Sequence, residues 1–357
     1  MGWVCIATRS NGCKRLGTPD EGTRQCADLM PRGTLVVETY LSGQQGPQIL
    51  LGFDRTGPQP GRFTLQALPT GGIVLVDALG DDIRHATLAF VADGRLDAVR
   101  ISYSWDISEG WGRLTLEHPA TETILSLAVT APRALPMDDL TDTLEHALDH
   151  ETTDDLVFVA LSDKIEPVGP MPALTAQVPV LTPSGERDAA EIRRGDIVIT
   201  DQGEQVPVLQ VVSRTVPALG SFQPVRLRAP FFGLAQDIVV APAQRLVMHG
   251  SEVEYMFGCE AVLVPARHLI NERSAFYAQG GDLVTYHHLL LPGHEVIRAG
   301  GSSLESLYVG RLRRRPAELI CSVLADFDRK RLPEHARPAW PVLKPFEAVT
   351  LAASRAA

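Results

Sequence analysis

The feature that most constrains the fold of this chain is a repeated alternation of apolar and polar residues in short runs, separated by glycines and prolines. The alternation has a period of two at residues 63–67, 101–105 and 114–116. Successive side chains of a strand point to opposite faces, so each run predicts a strand with one buried face. Because no helical pattern separates these runs, residues 33–165 are predicted to form an antiparallel β-sandwich, after an N-terminal segment at residues 1–32.

The pattern changes after this alternation. Residues 137–155 contain eight acidic residues and no Lys or Arg, and leucines recur at helical spacing from Leu140 to Leu148. This stretch predicts a short acidic amphipathic helix, and the apolar run at residues 156–161 predicts a buried strand. Residues 166–172 contain three prolines, which cannot join a helix interior or a central strand. The segment is therefore predicted to be a linker between two domains.

Beyond the linker, short apolar runs return across residues 173–310 and predict a second, all-β domain. Residues 311–357 are predicted to form a helical and irregular tail, with a helix at residues 315–332. The fold class is therefore mainly β, with the short acidic helix and a C-terminal helix in addition. Strands of the second domain are predicted at residues 197–200, 206–212, 225–227, 237–241, 245–248, 261–264, 283–291 and 295–297.

Charge and cysteine content exclude several classes of function. The net charge of −10 argues against a nucleic-acid-binding protein, because affinity for phosphates comes from clustered Lys and Arg. The one short basic run, at residues 311–315, is interpreted as a solvated surface. Five cysteines without a C-x-x-C pair predict no zinc site, and no cofactor is expected. A disulfide among Cys5, Cys13 and Cys26 stays open.

The N-terminus lacks the basic start and the apolar run of a signal peptide. No apolar run approaches the ~18 residues that a membrane span requires. The sequence therefore predicts a protein without membrane contact that is cytoplasmic by default. Export by a route without a cleaved signal stays open.

An ordered set of short motifs extends across the second domain. Each motif alone is weak, but their order and spacing together resemble a bacterial Hint domain, the self-processing domain type of Hedgehog proteins and inteins. In one bacterial branch of this family, a lectin-like sandwich (LamG or concanavalin-like) precedes the Hint domain, which agrees with the sandwich predicted from the alternation. The motifs lie at residues 173–187, 192–196, 237–245, 262–269, 288–295 and 304–306.

The resemblance implies a specific chemistry. The first residue of an active Hint domain is a Cys or Ser that attacks the preceding carbonyl and turns the amide into a thioester or ester. A Thr/Ser-x-x-His element polarises that amide and transfers the proton. Water, a thiol or an alcohol then resolves the ester and releases the segment on its N-terminal side.

The reactive positions of the family fall on unreactive residues here. Ala173 matches the nucleophile, and a methyl group cannot attack a carbonyl. Ala241 and Gln244 match the Thr/Ser and the His, and Gln244 cannot carry a proton near neutral pH. Thr175 is a candidate substitute nucleophile, but it could cleave only the bond before itself, which is out of register with the match.

The other candidate site residues are polar side chains of the second domain and one tryptophan of the first. His268, His288, His294 and Glu305 form a candidate residual polar site, for which a structural role is preferred over a metal site. Trp111, at a predicted hairpin tip, is the one candidate for stacking on a carbohydrate or protein ligand.

The sequence contains no Gly-x-Ser-x-Gly motif of a serine hydrolase. The resemblance and the lost residues favour a Hint domain-containing protein that does not cleave itself, is not an enzyme, and acts through binding or as a scaffold. The alternative is a self-processing protein that cleaves near Pro172 and Ala173 by a Hint-type acyl shift.

Overall fold

A computed structural model describes residues 2–9, 12–16, 29–41, 46–55, 59–69, 71–90, 98–146 and 155–356 of the chain. It divides into two compact units, Met1–Glu166 and Pro167–Ala357. The fold is mainly β, as the alternation predicted. The linker at residues 166–172 and the finer domain limits stay predictions, and Cys26 and Leu148 lie outside the described residues.

The first unit is an antiparallel β-sandwich. A seven-stranded sheet has the order β11-β10-β9-β4-β13-β1-β2, and a four-stranded sheet has the order β5-β6-β7-β8. The short strands β12 and β3 form a separate pair. The strands are β1 (Trp3–Thr8), β2 (Gly12–Arg15), β3 (Leu29–Met30), β4 (Arg32–Tyr40), β5 (Gln48–Arg55), β6 (Gly61–Ala67), β7 (Ile73–Leu79), β8 (Asp82–Leu88), β9 (Ala98–Asp106), β10 (Trp111–His118), β11 (Thr123–Thr130), β12 (Leu135–Pro136) and β13 (Leu156–Ser162).

The core of the sandwich is built from the residues that alternate in the sequence. Phe63, Tyr103 and Trp105 are all buried, and the rings of Tyr103 and Trp105 stack with their centroids 5.4 Å apart. The indole Nε1 of Trp105 donates a hydrogen bond to the carbonyl of Met30 at 2.9 Å, so the one polar atom of this ring is satisfied inside the core. The period of two therefore identified the face that packs into the apolar core, but the prediction of a single buried face is wrong for β9, where Ser102 and Ser104 on the other face are also buried.

The acidic stretch forms helix α1 (Met137–His146), as predicted. Leu140 and Leu144 are buried in the sandwich core, so the leucine spacing marks the face that packs. The predicted buried strand is β13, which lies between β4 and β1 in the seven-stranded sheet.

The second unit contains two six-stranded antiparallel sheets. Their orders are β19-β25-β14-β21-β20-β24 and β16-β15-β26-β27-β22-β23, and β17 pairs with β18. The elements are β14 (Leu174–Thr175), β15 (Pro179–Thr182), β16 (Gly185–Asp188), β17 (Ile197–Ile199), β18 (Gln205–Pro207), β19 (Gln210–Pro217), β20 (Val225–Leu227), β21 (Ile238–Val240), β22 (Arg245–His249), α2 (Ser251–Phe257), β23 (Ala261–Pro265), β24 (Ala275–Tyr277), β25 (Leu283–Leu290), β26 (Val296–Ala299), β27 (Ser302–Glu305), α3 (Pro316–Leu319) and α4 (Pro345–Ala356).

One strand prediction needs correction. The predicted strand at residues 206–212 is two strands, β18 and β19, because the Val208 N–H leaves the ladder and donates to the carbonyl of Asp196 at 2.9 Å.

The predicted helix at residues 315–332 is also wrong in its extent, since only α3 is helical there and the C-terminal helix is α4. Side chains compete for the backbone groups of this segment: Ser322 Oγ accepts from the N–H of Leu324, and the Asp328 carboxylate accepts from the N–H of Lys330. No helix among the described residues has the length and apolar character that a membrane crossing requires.

Candidate functional site

The position that matches the Hint nucleophile lies next to the centre of a sheet. The N–H of Ala173 donates to the carbonyl of His287 at 3.2 Å, and its own carbonyl accepts from the N–H of Ala241 at 2.7 Å. Leu174, the next residue, pairs with Val240 on one side and His287 on the other. The fold thus brings positions 173 and 241 together, and both side chains are methyl groups that are 2% exposed.

Gln244, which is predicted to match the family's histidine, uses both N–H groups of its side-chain amide as donors. Its Nε2 donates to the carbonyl of Arg245 at 2.9 Å and to the carbonyl of Glu305 at 3.2 Å. These two bonds fix the orientation of the amide. Its Oε1 is buried and accepts no hydrogen bond from the residues that the structure describes. The side chain therefore holds two strands together and offers no group that exchanges a proton near neutral pH.

Glu305, the last residue of β27, is the hub of the polar cluster. Its carboxylate Oε1 lies 2.7 Å from Nη1 of Arg245 and 2.9 Å from Nε2 of His294. Its main-chain carbonyl accepts from Gln244 and lies 3.0 Å from Nε2 of His288. All of these side chains are almost fully removed from water. Main chain and side chain of one residue thus join β22, β25 and the turn that begins β26.

Burial and charge oppose each other at Glu305. Burial alone would raise the pKa of its carboxyl group, but the contacts with His294 and Arg245 outweigh burial and hold the pKa below its usual value. For His288, burial lowers the pKa, and the nearby carbonyls of Glu305 and Met171 only partly oppose this effect. At neutral pH the cluster therefore contains an ionised Glu305 and a neutral His288.

The hydrogen bonds of His294 define its tautomer. The backbone N–H of Ala339 donates to Nδ1 at 2.8 Å, so in the neutral ring the proton is on Nε2, the nitrogen that faces Glu305. The ring of Tyr308 lies edge-on to His294 at 4.9 Å, and the ring of His335 lies 5.6 Å away. Burial, with the charge of His294 as a second cause, lowers the pKa of His335 to about 4.

His288 lies beside the chain just before the predicted junction. The carbonyl of Met171, two residues before Ala173, is close enough to affect the pKa of His288. A neutral imidazole here is a group that can accept a proton. The side chain at position 173 is a methyl group, which offers this imidazole no thiol or hydroxyl proton to accept.

The other predicted site residues make contacts of their own. The ring of His268 accepts a hydrogen bond from Nε of Arg267 at 3.3 Å. Thr175 Oγ1 donates to the carbonyl of Val239 at 2.7 Å. Trp111 begins β10 and is half-buried, with the guanidinium of Arg113 5.3 Å from its ring centroid. In the described part of the chain, no three His, Cys, Asp or Glu side chains converge to hold a metal ion.

Sequence reasoning missed three members of the cluster: Arg245, Tyr308 and His335. Arg245 is the last residue of the motif at residues 237–245. The sequence signal for its role is that a charged residue begins an apolar strand, which buries it. His335 comes from a segment without periodicity and reaches the cluster by tertiary contacts, with its Nδ1 accepting from the N–H of Val309 at 3.3 Å. No local sequence signal could have placed His335 there.

Comparisons with known proteins agree with this architecture. The family model described as Hint domain matches residues 172–311. No curated protein is similar enough in sequence to match the chain.

Solved structures with low similarity include an intein and two other β-rich proteins. The Msm DnaB1 intein splicing domain is 16% identical, covering 37% of this chain and 98% of its own, with a TM-score of 0.25. The Ruminococcus gnavus IT-sialidase CBM40 is 13% identical. The match covers 45% of this chain and 73% of the CBM40 chain, with a TM-score of 0.25. The LG1-3 region of the laminin α2 chain is 7% identical. The match covers 87% of this chain and 57% of the laminin chain, with a TM-score of 0.28. At TM-scores this low the likenesses carry no weight for function.

The family match covers β14 to β27, the segment that contains the hydrogen-bonded junction and the Glu305 hub. The ordered motifs, the two six-stranded sheets and the match coincide over the same residues. Residues 172–311 of this chain are therefore a Hint domain that follows an antiparallel β-sandwich.

Proposed function

We propose that this Hint domain does not cleave its own chain and that the protein acts through binding, as a scaffold with the sandwich as its binding part. The observation that supports this most is the side chain at the junction. Position 173 carries a buried methyl group between two hydrogen-bonded neighbours, where an acyl shift needs a thiol or hydroxyl.

The activating positions support the same proposal. Ala241 offers only its main-chain N–H, which is already bonded to the Ala173 carbonyl. Gln244 uses its donors on two strand carbonyls and has no titratable group. The hydroxyl of Thr175, the candidate substitute nucleophile, donates a hydrogen bond to the carbonyl of Val239. The positions matched to the nucleophile, the Thr/Ser hydroxyl and the histidine base thus all carry side chains without that chemistry.

Intact-mass measurement tests the lack of cleavage. The purified full-length chain, incubated with and without dithiothreitol or hydroxylamine, is expected to remain a single species of 38.7 kDa. Cleavage before Ala173 would instead give fragments of about 18 and 20 kDa, in proportion to the residues on each side. The appearance of those fragments would establish the self-processing alternative and reject the proposal.

Restoring the two reactive side chains tests whether the domain retains the geometry for the reaction. The double variant Ala173→Cys, Gln244→His is expected to gain cleavage induced by dithiothreitol, because the thiol and the imidazole then occupy the matched positions. General-base catalysis contributes about 10²–10⁴-fold, so the double variant should cleave at least about 100-fold faster than Ala173→Cys alone.

The matched control for this experiment is Thr175→Cys, Gln244→His, which places the thiol two residues out of register. It is expected to stay intact. A folded Ala173→Cys, Gln244→His variant that shows no cleavage would mean that the loss extends beyond the two side chains.

A further inference from the structure

A cavity of about 570 Å³ lies in the sandwich unit, between the edge strand β8 of one sheet and the edge strand β11 of the other. This volume is in the range of pockets that enclose small ligands. Its inner wall is apolar and formed by Leu75, Ala86, Leu127 and Val129. Exposed side chains such as His85 lie at its mouth, so the cavity is open to solvent.

A buried carboxylate faces this cavity. Asp77 is 3% exposed, and two guanidinium groups hold it: Nη2 of Arg55 at 2.7 Å and Nη1 of Arg133 at 3.4 Å. Both contacts are made to Oδ1, and Oδ2 accepts no hydrogen bond from any residue that the structure describes. The ion pairs fix the rotamer of Asp77 and leave one of its oxygens to a ligand.

Tyr103 and Arg84 are among the other polar residues that line the same cavity. Tyr103 is 1% exposed, and burial, followed by the charge of Asp77, raises the pKa of its hydroxyl above the usual value, so the hydroxyl stays protonated. Arg84 lies directly across from Asp77 on the neighbouring strand. The cavity is therefore lined by an acceptor and a guanidinium from the four-stranded sheet and by the tyrosine from the seven-stranded sheet, with aliphatic side chains from both sheets between them.

The rim of the cavity has an unusual backbone. Ala131, which lines the cavity at the end of β11, has φ = 47°, a left-handed conformation that costs a residue with a Cβ about 1 kcal/mol or more. The guanidinium of Arg84 donates to the carbonyl of Ala131 and holds it there. Strain of this kind persists where the surroundings enforce it, and it is concentrated at ligand sites.

We propose that this cavity binds a small neutral polyhydroxy molecule, with a mono- or disaccharide as the chemical class. Each sugar hydroxyl both donates and accepts, so neighbouring hydroxyls can donate to Asp77 Oδ2 and accept from Arg84 or Tyr103. The charged groups at the cavity are already paired, Asp77 with Arg55 and Arg133, and Arg84 with Asp82 at 3.0 Å, so a charged ligand would find no unpaired charge to bind. The aliphatic wall suits the C–H face of a sugar ring. The site is distinct from Trp111.

This inference rests on the proposed function only in giving the binding role to the sandwich. Calorimetric titration of the full chain with glucose, galactose, mannose, maltose and lactose tests it. At least one neutral sugar is expected to bind with a Kd of about 1 mM or tighter. Glucuronate and glucosamine, the charged analogues of glucose, are expected to bind more weakly than the neutral form.

Two variants locate the binding. Tyr103→Phe removes a single oxygen, and Ala86→Phe fills the cavity; each is expected to weaken binding about 10-fold or more. Asp54→Asn is the control, because its carboxylate is 77% exposed and pairs only loosely, at 3.8 Å, with Arg62. Far-UV circular dichroism confirms that each variant is folded.

The outcomes are distinct. Binding that is lost in the two cavity variants and kept in Asp54→Asn supports the inference. Absence of binding by every neutral sugar, preference for a charged analogue, or binding that the folded cavity variants leave unchanged would overturn it. None of these results alters the intact mass of the chain, so failure here and failure of the proposed function are separable.

Discussion

Replacing Glu305 with alanine is expected to lower the free energy of unfolding of the Hint domain by about 3–5 kcal/mol, the cost of breaking a buried ion pair by removing one partner. The variant leaves the guanidinium of Arg245 buried without the carboxylate that lies 2.7 Å from it. It also removes the contact of His294, at 2.9 Å. An uncompensated buried charge is costlier than the loss of the attraction itself.

Hydrogen–deuterium exchange of peptides from β22, β26 and β27 measures this effect within one unit of the full chain. Glu318→Ala is the matched control, because Glu318 and Arg315 form an exposed pair with side chains 45% and 59% accessible. Such pairs contribute about 0–1 kcal/mol. If Glu305→Ala cost no more than Glu318→Ala, the hub would not be a stabilising element of the domain.

Acidification below pH 6.5 is expected to destabilise the Hint domain, because burial lowers the folded-state pKa of His335 to about 4 and also lowers the pKa of His288, so the unfolded state binds more protons than the folded state. Since their folded pKa values are depressed, their contribution is complete above pH 6.5 and is lost as the pH falls from there to the folded pKa values. For His335 the depression to about 4 corresponds to about 2 kcal/mol after a discount for solvent screening. Glu305 acts in the same direction at lower pH, as its own pKa is depressed.

Urea unfolding at pH 7.5 and pH 5, followed by hydrogen exchange in β25 and β27, measures this dependence. His335→Gln is expected to reduce the difference between the two pH values, since glutamine keeps a donor and an acceptor but does not titrate. His85→Gln changes an exposed histidine of the sandwich unit and is the control. If the free energy of unfolding differed between pH 7.5 and pH 5 by the same amount in His335→Gln and in the unchanged chain, His335 would have no part in the acid sensitivity.

The parts of the fold that sequence reasoning predicted are those that local patterns determine. The face of β9 that packs into the apolar core is marked by Tyr103 and Trp105, and the packed face of α1 by Leu140 and Leu144, because each pattern repeats within one element. The Hint match likewise follows from motifs that are each local. The helix predicted at residues 315–332 failed because Ser322 and Asp328 bond to nearby backbone groups, a competition that apolar spacing does not reveal.

The candidate sites show the opposite case. Glu305, His288 and His294 were singled out from their motifs, but their convergence with His335 depends on contacts between residues far apart in the chain. The sandwich cavity depends on which strands lie at the sheet edges. The alternation of apolar and polar residues does not predict the order of the strands in a sheet. Trp111 was selected for its place at a hairpin tip, while the cavity is lined by Tyr103, which alternation had already assigned to the core.

The central place of β14 in its sheet has a mechanical consequence. A force that pulls on the chain before residue 173 enters the Hint domain through a strand that is bonded on both flanks, to Val240 and to His287, rather than through an edge strand. The load therefore acts in shear on the hydrogen bonds to both neighbouring strands at the same time. The hydrogen bonds of a single strand pair would otherwise open one after another. If the junction stays uncut, as proposed, such a force is transmitted to both neighbours of β14.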